Sequence, residues 1–157
     1  MPTEFDILLR LAVACIGGML LGLDRELRGI SAGIRTHSLV SLSSAIITIS
    51  ALLLYYTLRS ESPDQGIDPL RVIQGLAQAI GFIAAGAIFV AKGDVHNLTS
   101  AANIWLAAAL GIASGAGQYF LVGMAIIFGM IVITLVRLVE RVIPGSGKAV
   151  NEDKSVD

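Results

Sequence analysis

Charged side chains in this sequence are concentrated in one short stretch between two long apolar runs. We call this stretch the charged junction, and its members are Asp24, Arg25, Glu26, Arg28, Arg35 and Thr36. The two carboxylates could hold Mg²⁺ through its water shell, because this hard cation prefers oxygen ligands and gives up water reluctantly. The arginines could instead bind a phosphate or an acidic partner, or anchor the helix ends to lipid phosphates. The spacing of the residues leaves these interpretations open.

The composition is that of a membrane protein. The 157 residues are 55% hydrophobic and 15% charged, with a mean hydropathy of +0.79. In soluble domains, about a quarter of the residues are usually charged. Here the charges are clustered, and the uncharged runs between the clusters reach about 20 residues, long enough to cross a hydrocarbon layer of about 30 Å as helices. We therefore predict an all-α, polytopic membrane protein.

Five membrane-spanning helices are predicted, packed in a tight bundle rich in glycine and alanine. The predicted spans cover residues 5–23, 39–58, 72–91, 98–116 and 119–136. Residues 59–71 are predicted to form an exposed loop because they contain proline and glycine, and residues 92–97 a short turn. The transmembrane domain is predicted to occupy residues 1–143. Residues 144–157 are polar and lack aromatic side chains, which predicts a disordered cytoplasmic tail.

Basic residues are distributed unevenly between the two sides of the predicted bundle. Eight lie in the first loop, the third loop and the tail, whereas three lie on the other side. Since segments rich in lysine and arginine stay in the cytoplasm, we predict the amino terminus outside and the carboxyl terminus inside. The charged junction then faces the cytoplasm.

Polar side chains interrupt the third and fourth predicted spans. They are Gln74, Gln78, Ser100 and Asn103. Such groups form hydrogen bonds between helices in lipid, and they could also line a polar path for an ion. Two glycine pairs have the four-residue spacing that lets helices approach closely, namely Gly18 with Gly22 and Gly111 with Gly115. These small-residue faces also predict a homo-oligomer.

The sequence does not contain the residue sets of an enzyme or of a nucleic-acid-binding protein. A net charge of −1 gives no electrostatic basis for binding nucleic acid. No phosphate-binding glycine loop, zinc-ligand spacing or nucleophile motif occurs, so we predict no enzymatic activity and no cofactor other than Mg²⁺. The two histidines, His37 and His96, are expected at the surface or as helix caps. Arg10, inside the first span, is expected to reach outward or to pair with Asp6.

Several stretches together resemble the membrane domain of the MgtC/SapB family of bacterial inner-membrane proteins. They are residues 18–28 and 32–40 around the charged junction, and later residues 81–88 and 98–105. The resemblance extends over about residues 8–141, nearly the whole chain. Asp24 stands where glutamate is common in the family, and Ile34 stands where leucine is common. The resemblance implies a multi-pass protein of the bacterial inner membrane.

The same resemblance implies a role in adaptation to low magnesium. The family is associated with magnesium transport, and some members are thought to restrain the ATP synthase or another membrane complex. The best-known members carry a cytoplasmic ACT-like domain after the fifth span, whereas this chain resembles the shorter SapB-type members. We therefore predict an accessory or regulator in magnesium and membrane-energy homeostasis that contacts the lipid bilayer and a membrane protein partner. The alternative is a transporter for Mg²⁺ or another small ion.

Overall fold

Over the residues that the structure describes, the chain folds into five helices and one short β-hairpin. The structure is a computed structural model, and it describes residues 2–61, 68–91 and 94–142. The elements, in chain order, are α1 (Glu4–Glu26), α2 (Ile34–Glu61), α3 (Leu70–Gly86), β1 (Phe89–Ala91), β2 (Asp94–His96), α4 (Leu98–Gly115) and α5 (Tyr119–Val142). The predicted tail at 144–157 and residues 62–67 of the predicted loop lie outside the described residues.

Each of the five predicted spans corresponds to one of these helices. Among the described residues, α1, α2 and α4 are long and apolar enough to cross a membrane. α3 and the apolar part of α5, Tyr119–Leu135, are shorter apolar helices. The crossing of the membrane by all five helices, like their orientation, stays a prediction.

The prediction for the third span is wrong at its carboxyl end. The helix ends at Gly86, and the following residues form an antiparallel hairpin in which Phe89 pairs with His96 and Val90 with Val95. β-branched and aromatic side chains favour extended backbone, and glycine weakens a helix, which together account for the change. The rings of Phe89 and His96 stack with their centroids 5.0 Å apart. The fold is therefore helical with one small sheet, rather than purely α-helical.

The first turn of α1 is fixed by a capping box. The side-chain oxygen of Thr3 accepts a hydrogen bond from the backbone of Asp6 at 3.2 Å, and the Asp6 carboxylate accepts one from the backbone of Thr3 at 3.0 Å. Arg10 turns inward, where its Nη1 donates to the carbonyl oxygen of Gly115 at 2.7 Å. The expectation that Arg10 reaches outward is therefore wrong. Its guanidinium instead meets the partial negative charge at the carboxyl end of α4.

Glycines bring α1, α2 and α4 into backbone contact. A Cβ atom at Gly18 would lie 2.6 Å from the carbonyl oxygen of His37, and one at Gly111 would lie 2.1 Å from that of Ser41. Both distances are too short for any side chain, so these positions require glycine. The glycine pairs therefore hold the chain's own helices together. The homo-oligomer that these small-residue faces predict stays a prediction.

The helix α4 lies at the centre of the bundle, as its small side chains predict. It contacts each of the other four helices. Its inner side chains join the main apolar cluster, which contains Leu21, Ala107, Leu110, Ala113 and Val122. α3 packs on the other side of α4 by placing Leu76 and Ile80 against Ala108. The position of α4 thus fixes the places of the charged junction on one side and of α3 on the other.

We predict that Gly111→Ala lowers the free energy of unfolding by about 1–3 kcal/mol, the usual cost of overpacking a core. The added methyl group would collide with the carbonyl oxygen of Ser41, which is main chain and cannot rotate away. Gly81→Ala is the matched control, because nothing lies within 4 Å of the place its Cβ would take. Thermal unfolding in detergent measures both variants. Equal melting temperatures would contradict the packing described here.

Candidate functional site at the charged junction

Arg25 is buried where α1 ends, with 3% of its surface exposed. Its Nε donates a hydrogen bond to the carbonyl oxygen of Ala32 at 3.2 Å, and its Nη2 donates to that of Ser31 at 2.9 Å. The same Nη2 donates to the hydroxyl of Ser100 at the start of α4. We call these four residues the Arg25 latch. The planar guanidinium suits this role, since its donors are arranged in a rigid fork.

The latch closes the loop of residues 27–33 between α1 and α2. Gly29 and Ala32 both adopt the left-handed conformation in this loop, with φ values of 66° and 58°. That conformation is unfavourable for alanine and persists where the surroundings enforce it. Arg25 provides this constraint, because its side chain binds the carbonyl of Ala32 and its own carbonyl accepts the N–H of Ile30 at 3.1 Å. The shape of the loop therefore depends on the arginine.

Asn97 joins this loop to the end of α3. Its Oδ1 accepts a hydrogen bond from the hydroxyl of Ser31 at 2.9 Å, and its Nδ2 donates to the carbonyl oxygen of Ala87 at 3.2 Å. The residue itself is left-handed, with φ of 65°. It is not among the site residues predicted from the sequence. An asparagine between a strand and a helix is a local signal for a left-handed turn. The neighbouring sequence does not indicate which distant groups its side chain binds.

Glu26 caps the next helix. Its Oε2 accepts a hydrogen bond from the backbone N–H of Ile34 at 3.1 Å. A carboxylate at this place is favourable, because the first N–H groups of a helix carry partial positive charge. Gly33 makes room for it, since a Cβ atom there would lie 1.8 Å from the same oxygen. This capping explains why α2 begins at Ile34, before the apolar run starts.

Asp24 forms a salt bridge with Arg28 one turn later, with an O–N distance of 2.8 Å. The two carboxylates predicted to hold Mg²⁺ therefore face different partners, one an arginine and the other a helix terminus. Within the described part of the chain, no three side chains of histidine, cysteine, aspartate or glutamate are grouped so that they could hold a metal ion. The arrangement of Asp24 and Glu26 does not fit a direct Mg²⁺ ligand set.

The remaining predicted residues of the junction lie in the first turn of α2. Arg35 is exposed and Thr36 is half-buried. Arg35 therefore presents its charge at the surface, where it could meet a phosphate or an acidic group. Arg28 is partly shielded by its salt bridge with Asp24. The two arginines thus differ from Arg25, which is directed inward.

His37 is fully buried one turn after the start of α2. Its Nδ1 lies 2.8 Å from the carbonyl oxygen of Gly33, within hydrogen-bond distance. The expectation of a surface or capping histidine is therefore wrong here. The predicted span begins at Leu39 because the preceding turn contains polar residues, whereas in the fold this turn is packed against Gly18 of α1.

The four polar residues predicted inside the membrane do not lie together. Ser100 and Asn103 are buried on α4, and Ser100 belongs to the Arg25 latch. Gln74 and Gln78 are exposed on the outward face of α3. The reason is the packing of α3, which turns Leu76 and Ile80 toward α4. A single polar path through all four residues is not present in this arrangement.

Three buried hydroxyl groups of α2 are bound to backbone carbonyls, whereas that of Ser38 has no partner among the described residues. Ser41 donates to the carbonyl oxygen of Ala14 on α1 at 2.8 Å, and so ties two helices together. Ser44 and Thr48 donate, each at 2.8 Å, to carbonyl oxygens one turn earlier in their own helix. These three hydroxyl groups therefore serve helix packing.

We predict that Arg25→Lys destabilises the protein and opens the junction loop. Lysine keeps the charge but cannot hold three acceptors in a planar fork, and each hydrogen bond to a charged group is worth about 1.5–3 kcal/mol. The control is Arg35→Lys, because Arg35 is exposed. Trypsin cleavage after Arg28 measures the opening and should accelerate in the first variant alone. Equal cleavage rates for both variants and the wild type would contradict the latch.

Known proteins match most of this chain. The model of the MgtC family matches residues 11–142. The protein named "Putative magnesium transporter YhiD" from Escherichia coli K12 is 38% identical over 119 residues, which are 76% of this chain and 54% of YhiD. Protein SapB of Bacillus subtilis 168 is 40% identical over 115 residues, which are 73% of this chain and 49% of SapB.

Protein MgtC of Salmonella typhimurium LT2 is 33% identical over 115 residues, which are 73% of this chain and 46% of that protein. The chain therefore spans about half the length of the curated relatives it matches. No solved structure matches the chain. The matched region contains the whole charged junction and continues to the end of α5. This match confirms the resemblance to the MgtC/SapB family that the sequence stretches indicate. The chain therefore belongs to the MgtC family.

Proposed function

We propose that this protein is a non-enzymatic accessory or regulator in magnesium and membrane-energy homeostasis, and that it acts through contacts with a membrane partner in the bacterial inner membrane. The connection with magnesium is supported by the name of the relative YhiD. The contact with a partner is supported by the outward face of α3. That face is the single observation that carries the proposal.

The outward face of α3 presents two amide side chains beside small residues. Gln74 and Gln78 lie one turn apart and are exposed, and Phe82 continues the same face with 82% of its surface exposed. Nothing lies within 4 Å of the place where Gly75 would carry a Cβ atom. An amide exposed to lipid is unfavourable unless it finds a hydrogen-bond partner. A helix of another membrane protein would supply partners for both amides and pack closely against Gly75.

Buried hydroxyl groups that are bound to backbone carbonyls favour a packing role over ion conduction. Ser41 and Thr48 donate to backbone carbonyls, as does Ser114, whose hydroxyl lies 2.7 Å from the carbonyl oxygen of Arg10. An ion that moved along these helices would need oxygen atoms free to replace its water shell. Hydroxyls bound to the backbone offer this poorly. The exposed Arg35 would meet acidic or phosphate groups of the partner at the cytoplasmic side.

The alternative is a transporter for Mg²⁺ or another small ion. The name of YhiD favours it, and so do the buried polar residues Ser100 and Asn103 beside the junction. In this case Asp24 and Glu26 would act as the first attraction for the cation at the mouth of the bundle. They would have to exchange their present partners for the ion or its water shell.

The proposed contact predicts a site-specific cross-link from α3. A photoreactive residue placed at Gln78 should form an adduct with a neighbouring protein in native membranes. The control position is Ile127 on α5, which is also exposed but carries no polar neighbours of this kind. Mass spectrometry of the adduct distinguishes a different protein from a second copy of this chain. Equal labelling of lipid alone at both positions would refute the partner contact.

Mg²⁺ entry into liposomes separates the two functions. The purified protein is reconstituted with an enclosed Mg²⁺-sensitive dye, and a Gln74→Leu variant, which leaves position 78 available for the photoreactive residue, is compared with it. The accessory function predicts no flux above empty liposomes for either protein and loss of the cross-link in the variant. The transporter function instead predicts Mg²⁺ flux through the wild-type protein and its loss in a Glu26→Gln variant. That result would overturn the accessory function.

A further inference from the structure

His37 is a titratable group enclosed in the bundle next to the Arg25 latch. It is fully buried, and its Nδ1 faces the carbonyl oxygen of Gly33. A carbonyl accepts but cannot donate, so the proton of the neutral ring sits on Nδ1 and Nε2 carries a lone pair. Among the described residues, Nε2 has no hydrogen-bond partner. Histidine changes its charge in the physiological pH range, which makes a buried ring of this kind a candidate proton acceptor.

The charges around His37 are unequal. Arg25 of α1 lies close by, since its Nε donates to the carbonyl of Ala32 and the ring of His37 faces the carbonyl of the next residue, Gly33. The other ionisable groups at this end of α1 are engaged, Asp24 with Arg28 and Glu26 with the start of α2. On its own helix Arg35 is exposed, and α4 contains no ionisable residue. α3 carries Arg71, at the end opposite the junction. Within residues 2–61, 68–91 and 94–142, the charge at this end of the bundle that bears on the ring is therefore the positive one of Arg25.

We propose that His37 is a proton-binding site that controls the Arg25 latch. A proton from water would add to the lone pair of Nε2, and the imidazolium would then hold a positive charge and an N–H group inside the bundle. A buried charge without a partner is unfavourable, and a second positive charge near Arg25 adds repulsion. Both effects are relieved when the latch opens and water reaches the ring. A proton therefore binds the open state more tightly, and acid shifts the population toward it.

Opening would affect more than the loop. Ser31, one of the acceptors in the latch, also donates to Asn97, which in turn holds the carbonyl of Ala87 at the end of α3. Release of Arg25 thus loosens the connection between the junction and α3. This inference does not depend on whether α3 binds a partner or the chain transports an ion.

Nuclear magnetic resonance of the full chain with ¹⁵N-labelled histidine tests the proton site directly. The chain has two histidines, so His96→Gln assigns the signals. We expect His37 to show the neutral ring with its proton on Nδ1 at about pH 8, and to become imidazolium on the way to about pH 5. A His37 signal that stays neutral over this whole range would overturn the proposal, whatever any variant does.

Hydrogen exchange of residues 27–33 tests the effect on the latch. The loop sequence is the same in all proteins compared, so the ratio of rates between variant and wild type cancels the chemical effect of pH. We expect acid to increase opening of the wild-type loop by about fivefold or more, the lower end of usual coupling between sites. His37→Gln, which cannot be charged, should abolish this increase. His96→Gln is the matched control and should behave as the wild type.

Each outcome decides the proposal. Loss of the acid response in His37→Gln, with its retention in His96→Gln, supports it. Retention of the response in His37→Gln assigns the response to another group and overturns it. A wild-type loop that does not respond to acid while His37 titrates would show a proton site without control of the latch, which also contradicts the proposal. Thermal unfolding at about pH 8 confirms that His37→Gln is folded before the comparison.

Discussion

The arrangement of this protein depends on one buried guanidinium. A charge removed from water is unfavourable unless hydrogen bonds replace the water that it loses. Arg25 meets this requirement with two loop carbonyls and the hydroxyl of Ser100. The loop can therefore take few shapes, and the start of α4 must lie beside the end of α1. Asn97 then extends the same hydrogen-bonded network to the end of α3.

The parts of the fold that follow from local patterns could be predicted from the sequence. Uncharged runs of span length correspond to helices, because such runs satisfy their own backbone in lipid. The glycine spacing of Gly111 and Gly115 correctly indicated close helix contact, since a helix brings residues four apart to one face. The salt bridge of Asp24 with Arg28 follows from the same periodicity. These predictions need no knowledge of where distant segments lie.

The parts that depend on distant contacts could not be predicted. Glu26 caps α2 across the whole loop, and His37 is buried because Gly18 of another helix packs against it. The hairpin was missed for a different reason. Its apolar residues are as hydrophobic as those of a helix, and a short run such as Phe89–Ala91 has too few residues to show a periodicity. The outward direction of Gln78 likewise follows from the packing of α3 on α4.

The loop of residues 27–33 is closed like a ring by two adjacent side chains. The side chain of Arg25 reaches across the loop to Ala32, and that of Glu26 reaches across it to Ile34. Neither side chain can extend beyond its own length. Most surface loops accept insertions, because closing a longer loop adds little entropy cost. Here an added or deleted residue would move the carbonyl of Ala32 or the N–H of Ile34 out of reach of its partner side chain. The loop of residues 27–33 should therefore tolerate substitutions of its side chains but not a change in its number of residues. In this respect it resembles a buried core segment more than a surface loop.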